Sequence, residues 1–245
     1  MKNKKMISLL VSVVQLLFTF ALYCLGIAVI GLAIYPGALL CFFLWRNSLT
    51  FPVAARVLWL CLGIAAAYFV YGISLIFIVG AIRIIFRLSL REGEYPLRSR
   101  GMLRWAFVNS LVLVVSHTFM DFILLTPLVN LFYRMMGAKL GRNVQINSKF
   151  CADFSLLEIG DEAVIGGHAT VIAHSFERNR LILKKVKIGR RAIIGLNSVV
   201  LPGADIGDGA LIAAGAVLGK NTVVGPRDVY FGVPARSRHN SAAGK

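Results

Sequence analysis

The chain has 245 residues, with 27 Lys and Arg against 11 Asp and Glu, a net charge of +16, 58% hydrophobic residues and only 16% charged ones. A wholly soluble globule is excluded by that apolar content, and a disordered chain by the same count. The basic excess has no interleaved aromatic reading surface, so it points to anionic lipid as the partner and not to nucleic acid. Four cysteines, Cys24, Cys41, Cys61 and Cys151, form no C-x-x-C pair, and the first three lie in apolar runs. They read as reduced, buried thiols. Neither a disulfide scaffold nor a metal site is expected, because only His117, His168, His174 and His239 could join them as ligands.

Residues 1–104 read as a membrane anchor with at least two spanning helices and a basic connector. After the basic start Met1–Lys5, the whole run from Met6 to Trp45 carries no charge. About 20 apolar residues cross a hydrocarbon core, roughly half the length of this run. It is therefore either one tilted helix ending near Tyr35-Pro36-Gly37 with an interfacial stub, or a tight helical hairpin. A second uncharged run, Val57 to Ile82, is bounded by Arg56 and Arg83 and reads as a spanning helix. The connector 83–104 holds Arg83, Arg87, Arg91, Arg98, Arg100 and Arg104 against Glu92 and Glu94, whereas 46–56 holds only Arg46 and Arg56. The positive-inside rule places the N-terminus and this connector in the cytoplasm of a multi-pass protein of the inner membrane.

Residues 105–137 read as a membrane-embedded or interfacial helical segment. Asn109, His117 and Asp121 interrupt its apolar run, with His117 and Asp121 one helical turn apart. Such a pair serves either as a relay inside the membrane or as the paired polar face of an interfacial helix. A re-entrant or interfacial path leaves the following domain on the cytoplasmic side.

From 138 to 236 the chain repeats an aliphatic residue every six positions, commonly followed by Gly and, four residues on, by a small residue. Examples are Ile159-Gly-Asp-Glu-Ala, Ile165-Gly-Gly-His-Ala, Ile188-Gly-Arg-Arg-Ala, Ile194-Gly-Leu-Asn-Ser and Ile206-Gly-Asp-Gly-Ala. A period of six fits neither a helix nor a simple strand alternation, and it predicts a parallel β-helix in which three hexads close one coil. Glycine is expected to support the tight corners. The interval from Val171 to Ile188 is read as two hexads with a short excess, so a loop over 176–187 should leave the coil. The fold class is therefore mainly β, a parallel β-helix of about four coils preceded by an α-helical membrane region. Residues 237–245 read as a flexible tail.

The repeat, the stretch Ala173-His-Ser-Phe-Glu177, the later Val199-Val-Leu-Pro-Gly203 and the closing Gly232-Val-Pro-Ala-Arg236 resemble the left-handed β-helix acyltransferases of the hexapeptide-repeat superfamily. Gly93-Glu-Tyr-Pro-Leu97, Thr126-Pro-Leu128 and Tyr133 to Val144 are further similar to one unit of the C-terminal membrane region of polylysine-synthetase-type peptide synthetases. The first resemblance implies that the β-helix is left-handed, and it implies a homotrimer and a donor pantetheine lying in a groove between coils, with acetyl-CoA or another acyl-CoA as cofactor. It implies His174 as the general base, Asp153 as the carboxylate that orients it, Leu196 and Ala214 as the groove positions, and Arg236 as a contact for the donor phosphates. The basic cluster Lys184, Lys185, Lys187, Arg190 and Arg191 is a second candidate for those phosphates, or for lipid head groups. His168, one hexad before His174, falls on a different corner and reads as structural.

The expected activity is transfer of a small acyl group from a pantetheine thioester to a membrane-bound acceptor, with the β-helix facing the cytoplasm. Two alternatives stand beside it: an amide ligase that takes an aminoacyl thioester from a carrier protein, and a non-catalytic trimeric scaffold.

Overall fold

The computed structural model describes the backbone of residues 2–238 and the side chains of residues 13–238. The side chains of the basic start, and residues 239–245, lie outside the described residues; Ser237, expected in the flexible tail, is instead buried and paired with Tyr230 in a strand. The chain divides into two compact units, residues 1–79 and 80–245.

Helix α1 (Lys2–Asn47) continues through Pro36 without a break, and α2 (Val53–Ile85) follows after a short turn. The stretch 6–45 thus forms one helix and neither of the two arrangements the sequence left open. At 1.5 Å per residue, α1 and α2 are about 70 and 50 Å long, more than a hydrocarbon core requires. Within the first unit the two helices meet at small residues. A Cβ on Gly37 would sit 2.8 Å from the Ala67 carbonyl oxygen, so only glycine permits that approach. Large apolar side chains such as Leu16, Phe20, Leu58, Leu62 and Ile64 point outward, the inverse of a soluble fold. By length and composition both helices, over Val13–Asn47 and Val53–Ile85, are able to cross a membrane. Cys24 and Cys61 also face outward, which corrects the expectation that they are buried; all four cysteines are free thiols.

In the second unit the apolar run 105–133 breaks into three helices: α3 (Arg100–Thr118), the single turn α4 (Met120–Ile123) and α5 (Pro127–Met135). Ser99 caps α3 by accepting the Met102 N–H at 3.2 Å, and Thr126 with Pro127 starts α5 in the same manner. Helix α5 closes one end of the β-helix. The Tyr133 ring packs at a tilt on Phe154 with centroids 4.2 Å apart, Asn130 Nδ2 donates to the Val144 carbonyl, and Arg134 donates to the Gly141 carbonyl.

The β-helix has three faces of short parallel strands. The first carries Lys139–Leu140, Leu157–Ile159, Val186–Ile188, Asp205–Ile206 and Val223–Val224. The second carries Gln145–Ile146, Val164–Ile165, Ile193–Ile194, Leu211–Ile212 and Val229–Phe231, with Arg236–Ser237 added antiparallel at its end. The third carries Thr170–Val171, Val199–Val200 and Val217–Leu218, with Cys151 bridged to Val171. Register stacks like residues: Ile146, Ile165, Ile194 and Ile212 pair in succession and are fully buried. Each such side chain contributes about 1.5–3 kcal/mol by leaving water.

The glycine after the aliphatic residue has a different role from the one expected. The left-handed backbone of the corners falls two residues after the aliphatic-plus-one position, at Asn143, Glu162, His168, Arg191, Asn197, Gly203, Gly209, Gly215, Asn221 and Arg227. Glycine at 195 is needed because a Cβ there would stand 2.6 Å from the Ala214 backbone nitrogen of the next coil. The hexad therefore encodes close stacking with one residue and the bend with another.

Val171 lies on the third face and Ile188 on the first, so a single hexad step separates them and most of the chain in between is extra. The expected two-hexad count is wrong because it passes over the face change. The extra chain is a β-hairpin, His174–Glu177 against Arg180–Leu183, turned by Arg178 and Asn179 in the left-handed region. Connector residues Gly93–Pro96 pair antiparallel with Arg180–Leu183 and complete a three-stranded sheet.

Candidate active site

The hairpin leaves the coil at the corner between the third and first faces, and His174 is its first residue. At the same corner of the preceding coil, where Cys151 bridges Val171, Asp153 occupies the left-handed region (φ 58°, ψ 41°) before the short 3-10 turn Phe154–Leu156. Its side chain does not cap that turn. It points instead to His174, with Oδ2 at 2.6 Å from Nδ1, and the same oxygen accepts the Ala173 N–H at 3.1 Å. The Asp153 side chain is 1% exposed and that of His174 is 21% exposed, so the carboxylate is sealed while the imidazole reaches the surface.

Trp105 in α3 completes the arrangement. Its indole Nε1–H donates to Asp153 Oδ1 at 2.8 Å, its ring meets the His174 ring edge-on at 4.9 Å, and Phe176 packs edge-on against both rings, at 5.4 Å from Trp105 and 6.0 Å from His174. Asp153 thus receives N–H donors from Trp105 and Ala173, and the remaining short contact is satisfied by His174 Nδ1–H donating. That tautomer leaves Nε2 as the nitrogen able to take a proton. Sequence reading missed Trp105. Its signal was an aromatic residue with a polar atom at the head of a run otherwise read as membrane-facing.

The other predicted residues fall elsewhere. Leu196 and Ala214 are exposed on the corner between the second and third faces, in adjacent coils joined by the Gly215 N–H to Leu196 carbonyl bond of 2.8 Å. Within one chain they lie on a different corner from His174. Arg236 is exposed on the antiparallel strand that ends the second face. His168 is exposed in a left-handed turn on the Leu196 corner, with its ring 5.8 Å from Phe150. His117 and Asp121 do not form a pair, because the helix breaks at Phe119 between them. His117 Nδ1 bonds the Leu113 carbonyl oxygen, and Asp121 pairs with Lys149 at 2.6 Å.

The basic cluster is already partnered. Lys184 donates to Asn221 Oδ1 at 2.8 Å, Lys185 meets Glu158 at 3.1 Å, Lys187 meets Asp205 at 3.5 Å, Arg190 meets Asp208 at 2.9 Å and Arg191 meets Glu162 at 3.2 Å. The Lys139 hydrogen bond, helped by Lys185, holds the Glu158 carboxyl below its usual range. Lys220 does the same for Glu177 and fastens the hairpin to a later coil. Behind the site, burial pushes the Cys151 thiol up to about 11, an effect that its hydrogen bond with Tyr133 only partly offsets.

Residues 185–220 match the family described as bacterial transferase hexapeptide (six repeats). That stretch is a transferase-type hexapeptide repeat. The chain is 24% identical over 144 residues to a delta-poly-L-ornithine synthetase of Acinetobacter baumannii, which covers 56% of this chain and 10% of the synthetase. It is 32% identical over 91 residues to YvoF of Bacillus subtilis, named as a candidate acetyltransferase, covering 34% of this chain and 53% of YvoF. The chain thus spans about half the length of one curated relative and a tenth of the other. A maltose O-acetyltransferase from Clostridium difficile 630 superposes with a TM-score of 0.45 and 18% identity, over 60% of this chain and 92% of that one. The β-helix assignment rests on the strand registers given above, which run on both sides of the matched hexapeptide repeat.

Proposed function

We infer that the protein is a membrane-anchored acyltransferase that moves an acetyl or similar group from a pantetheine thioester to an acceptor at the membrane surface. The observation that carries this reading is the buried Asp153 carboxylate holding His174 Nδ1 at 2.6 Å, with the imidazole at the surface beside the hairpin. His174 Nε2 takes the proton of an acceptor hydroxyl or amine as that atom attacks the thioester carbonyl. Backbone N–H groups at a coil corner stabilise the oxyanion. The intermediate then collapses, expelling the pantetheine thiolate, which recovers the proton from the imidazolium. The products are the acylated acceptor and the free thiol. Asp153 and Trp105 position the base and stay outside the reacting atoms.

In this reading residues 138–236 form a left-handed β-helix of about four coils, residues 1–104 anchor it, and residues 105–137 lie at the interface without crossing. Because His174 and the Leu196–Ala214 groove occupy different corners, a homotrimer is the arrangement in which a neighbouring copy supplies the groove. Arg236 and the groove then hold coenzyme A. The two long apolar helices and the arginine-rich connector support a multi-pass inner-membrane protein with the β-helix on the cytoplasmic side, where acyl thioesters are made.

The similarity to a poly-ornithine synthetase over 56% of the chain favours a second reading, amide ligation from an aminoacyl thioester on a carrier protein with the same base. Both are tested by incubating purified protein with labelled acetyl-CoA and a membrane extract. Label should pass to the extract and be lost with His174→Ala. Transfer from a carrier protein that excess free coenzyme A does not inhibit would select ligation. Unchanged cellular phenotype on His174→Ala would select the scaffold.

A further inference from the structure

A cavity edged by arginines lies beside the histidine hairpin, and the acyltransfer reading does not use it. It has a volume of about 460 Å³, and its walls include Ser89, Arg91, Tyr95, Arg100, Arg104 and Leu183. That size falls in the range of small-molecule sites. Its charge is unlike that of the lysine cluster. Among the described residues, no carboxylate lies within ion-pair distance of Arg91, Arg100 or Arg104, whereas every member of the lysine cluster has a partner. Arg104 donates to the Arg87 carbonyl at 3.4 Å, a neutral acceptor that leaves its charge uncompensated. Three guanidinium groups around one cavity without acidic partners form a site for an anion, and their planar forks match phosphate oxygens. The first backbone N–H groups of α3, at Arg100 and Gly101, add partial positive charge at the same wall.

The cavity is built firmly. Arg83 donates to Ser89 Oγ at 2.8 Å, and the Leu90 N–H donates to Ser155 Oγ at 3.0 Å. The Tyr95 ring lies against Gly101, where any side chain would collide with it, and the Tyr95 hydroxyl donates to the Arg91 carbonyl at 3.0 Å. Position connects it to the base: Leu183 lines the cavity and is the register partner of His174, and Arg104 precedes Trp105. Position also connects it to the end of α2. Ser89 follows Ile85, the last residue of α2, by four positions, so it stands within about 14 Å of that helix end.

We propose that this cavity binds the phosphate or diphosphate head of a membrane lipid, and that this lipid is the acceptor. The proposal rests on the acyltransferase reading for the word acceptor, and on the cavity alone for the ligand. The arginines hold the phosphoryl group while the attached hydroxyl or amine faces His174. Two sources of the same chemistry, an isoprenoid diphosphate and a soluble phosphate compound, are separated by the test.

Full-length protein in detergent is titrated with geranylgeranyl diphosphate, geranylgeraniol, inorganic pyrophosphate and coenzyme A. Geranylgeranyl diphosphate should bind at least tenfold more tightly than either the alcohol or pyrophosphate. Arg100→Gln and Arg104→Gln should each weaken it about tenfold and leave coenzyme A affinity and the melting temperature unchanged. Arg100→Lys should restore part of the affinity, which guards against a folding defect in the glutamine variants. Equal binding of pyrophosphate and the lipid diphosphate overturns the lipid source. Weakened coenzyme A binding in the arginine variants assigns the cavity to the donor and overturns the acceptor role. Wild-type diphosphate affinity in both glutamine variants removes the site. His174→Ala should bind the diphosphate normally; if it also transfers acyl groups at the wild-type rate, the base assignment falls while the phosphate site stands.

Discussion

His168 and His174 occupy the same position in consecutive hexads, each third after a core aliphatic residue, yet their surroundings differ in every respect that matters to proton transfer. His168 bends a corner in the left-handed region and faces solvent. His174 is extended, part-covered and bonded to a sealed carboxylate. The repeat set neither outcome. What separates them is the hairpin inserted after Ala173, which turns a bend into a strand, and Asp153, whose left-handed backbone aims its carboxylate at the next coil. A hexad supplies a surface position, and departures from the hexad supply the chemistry.

The largest effect should come from breaking what both corners share. Ile194 is fully buried between Ile165 and Ile212, and Ile194→Asp would bury an unpaired charge at a cost of several kcal/mol. Loss of cooperative melting by circular dichroism is the expected outcome, and a wild-type melt would remove the interior assignment. Next, His174→Ala should lower turnover about 10²–10⁴-fold with the melting temperature kept, while His168→Ala changes it little. Equal losses from both would erase the contrast between the corners. Asp153→Asn should lower turnover by about 10²-fold, and Trp105→Phe, which keeps the ring contact and removes one N–H donor to a charged group, by about tenfold. A normal rate for Asp153→Asn would show that the imidazole orients without it.

How much of this was legible follows from the range of each signal. The six-residue period is local and repeated, so the core residues Ile165, Ile194 and Ile212 could be read directly. Asp153 and His174 were reached through a resemblance, since no spacing rule links a coil residue to a hairpin residue one coil on. Trp105 and the strand Gly93–Pro96 were not legible. Their partners lie far along the chain, Asp153 for Trp105 and Arg180–Leu183 for the strand, and an antiparallel pairing at such distance leaves no periodic trace. Hydropathy grouped Trp105 with an apolar run, although the chain breaks at Phe119 and packs α5 on the coil. The free arginines of the connector were read by charge count alone, which does not distinguish a lone guanidinium from one in an ion pair.

Two smaller tests sharpen the comparison further. On the His168 corner, Ala214→Trp should raise KM for the donor and leave kcat nearly unchanged, the opposite split from His174→Ala. Behind the His174 corner, Cys151 bridges Val171, and its thiol is held protonated up to about 11. An unfolded chain releases that proton from about pH 8.5, so it binds fewer protons than the folded one as pH rises further. Stability should fall with rising pH in that window, by at most about 1.4 kcal/mol per unit, and Cys151→Ala should flatten the slope of melting temperature against pH.

The strand Gly93–Pro96 changes where this protein can be cut. Residue 138 is the boundary that the hexad pattern advertises, and a fragment starting there would keep every coil. It would also discard Trp105 and uncover the whole edge of Arg180–Leu183, a row of backbone donors and acceptors open to pairing with another chain. Such a fragment should aggregate through that edge and hold Asp153 short of one donor. The smallest piece that preserves the histidine's surroundings begins before Ser89, at the end of α2, so the segment this site depends on is larger than the repeat that gives it its shape.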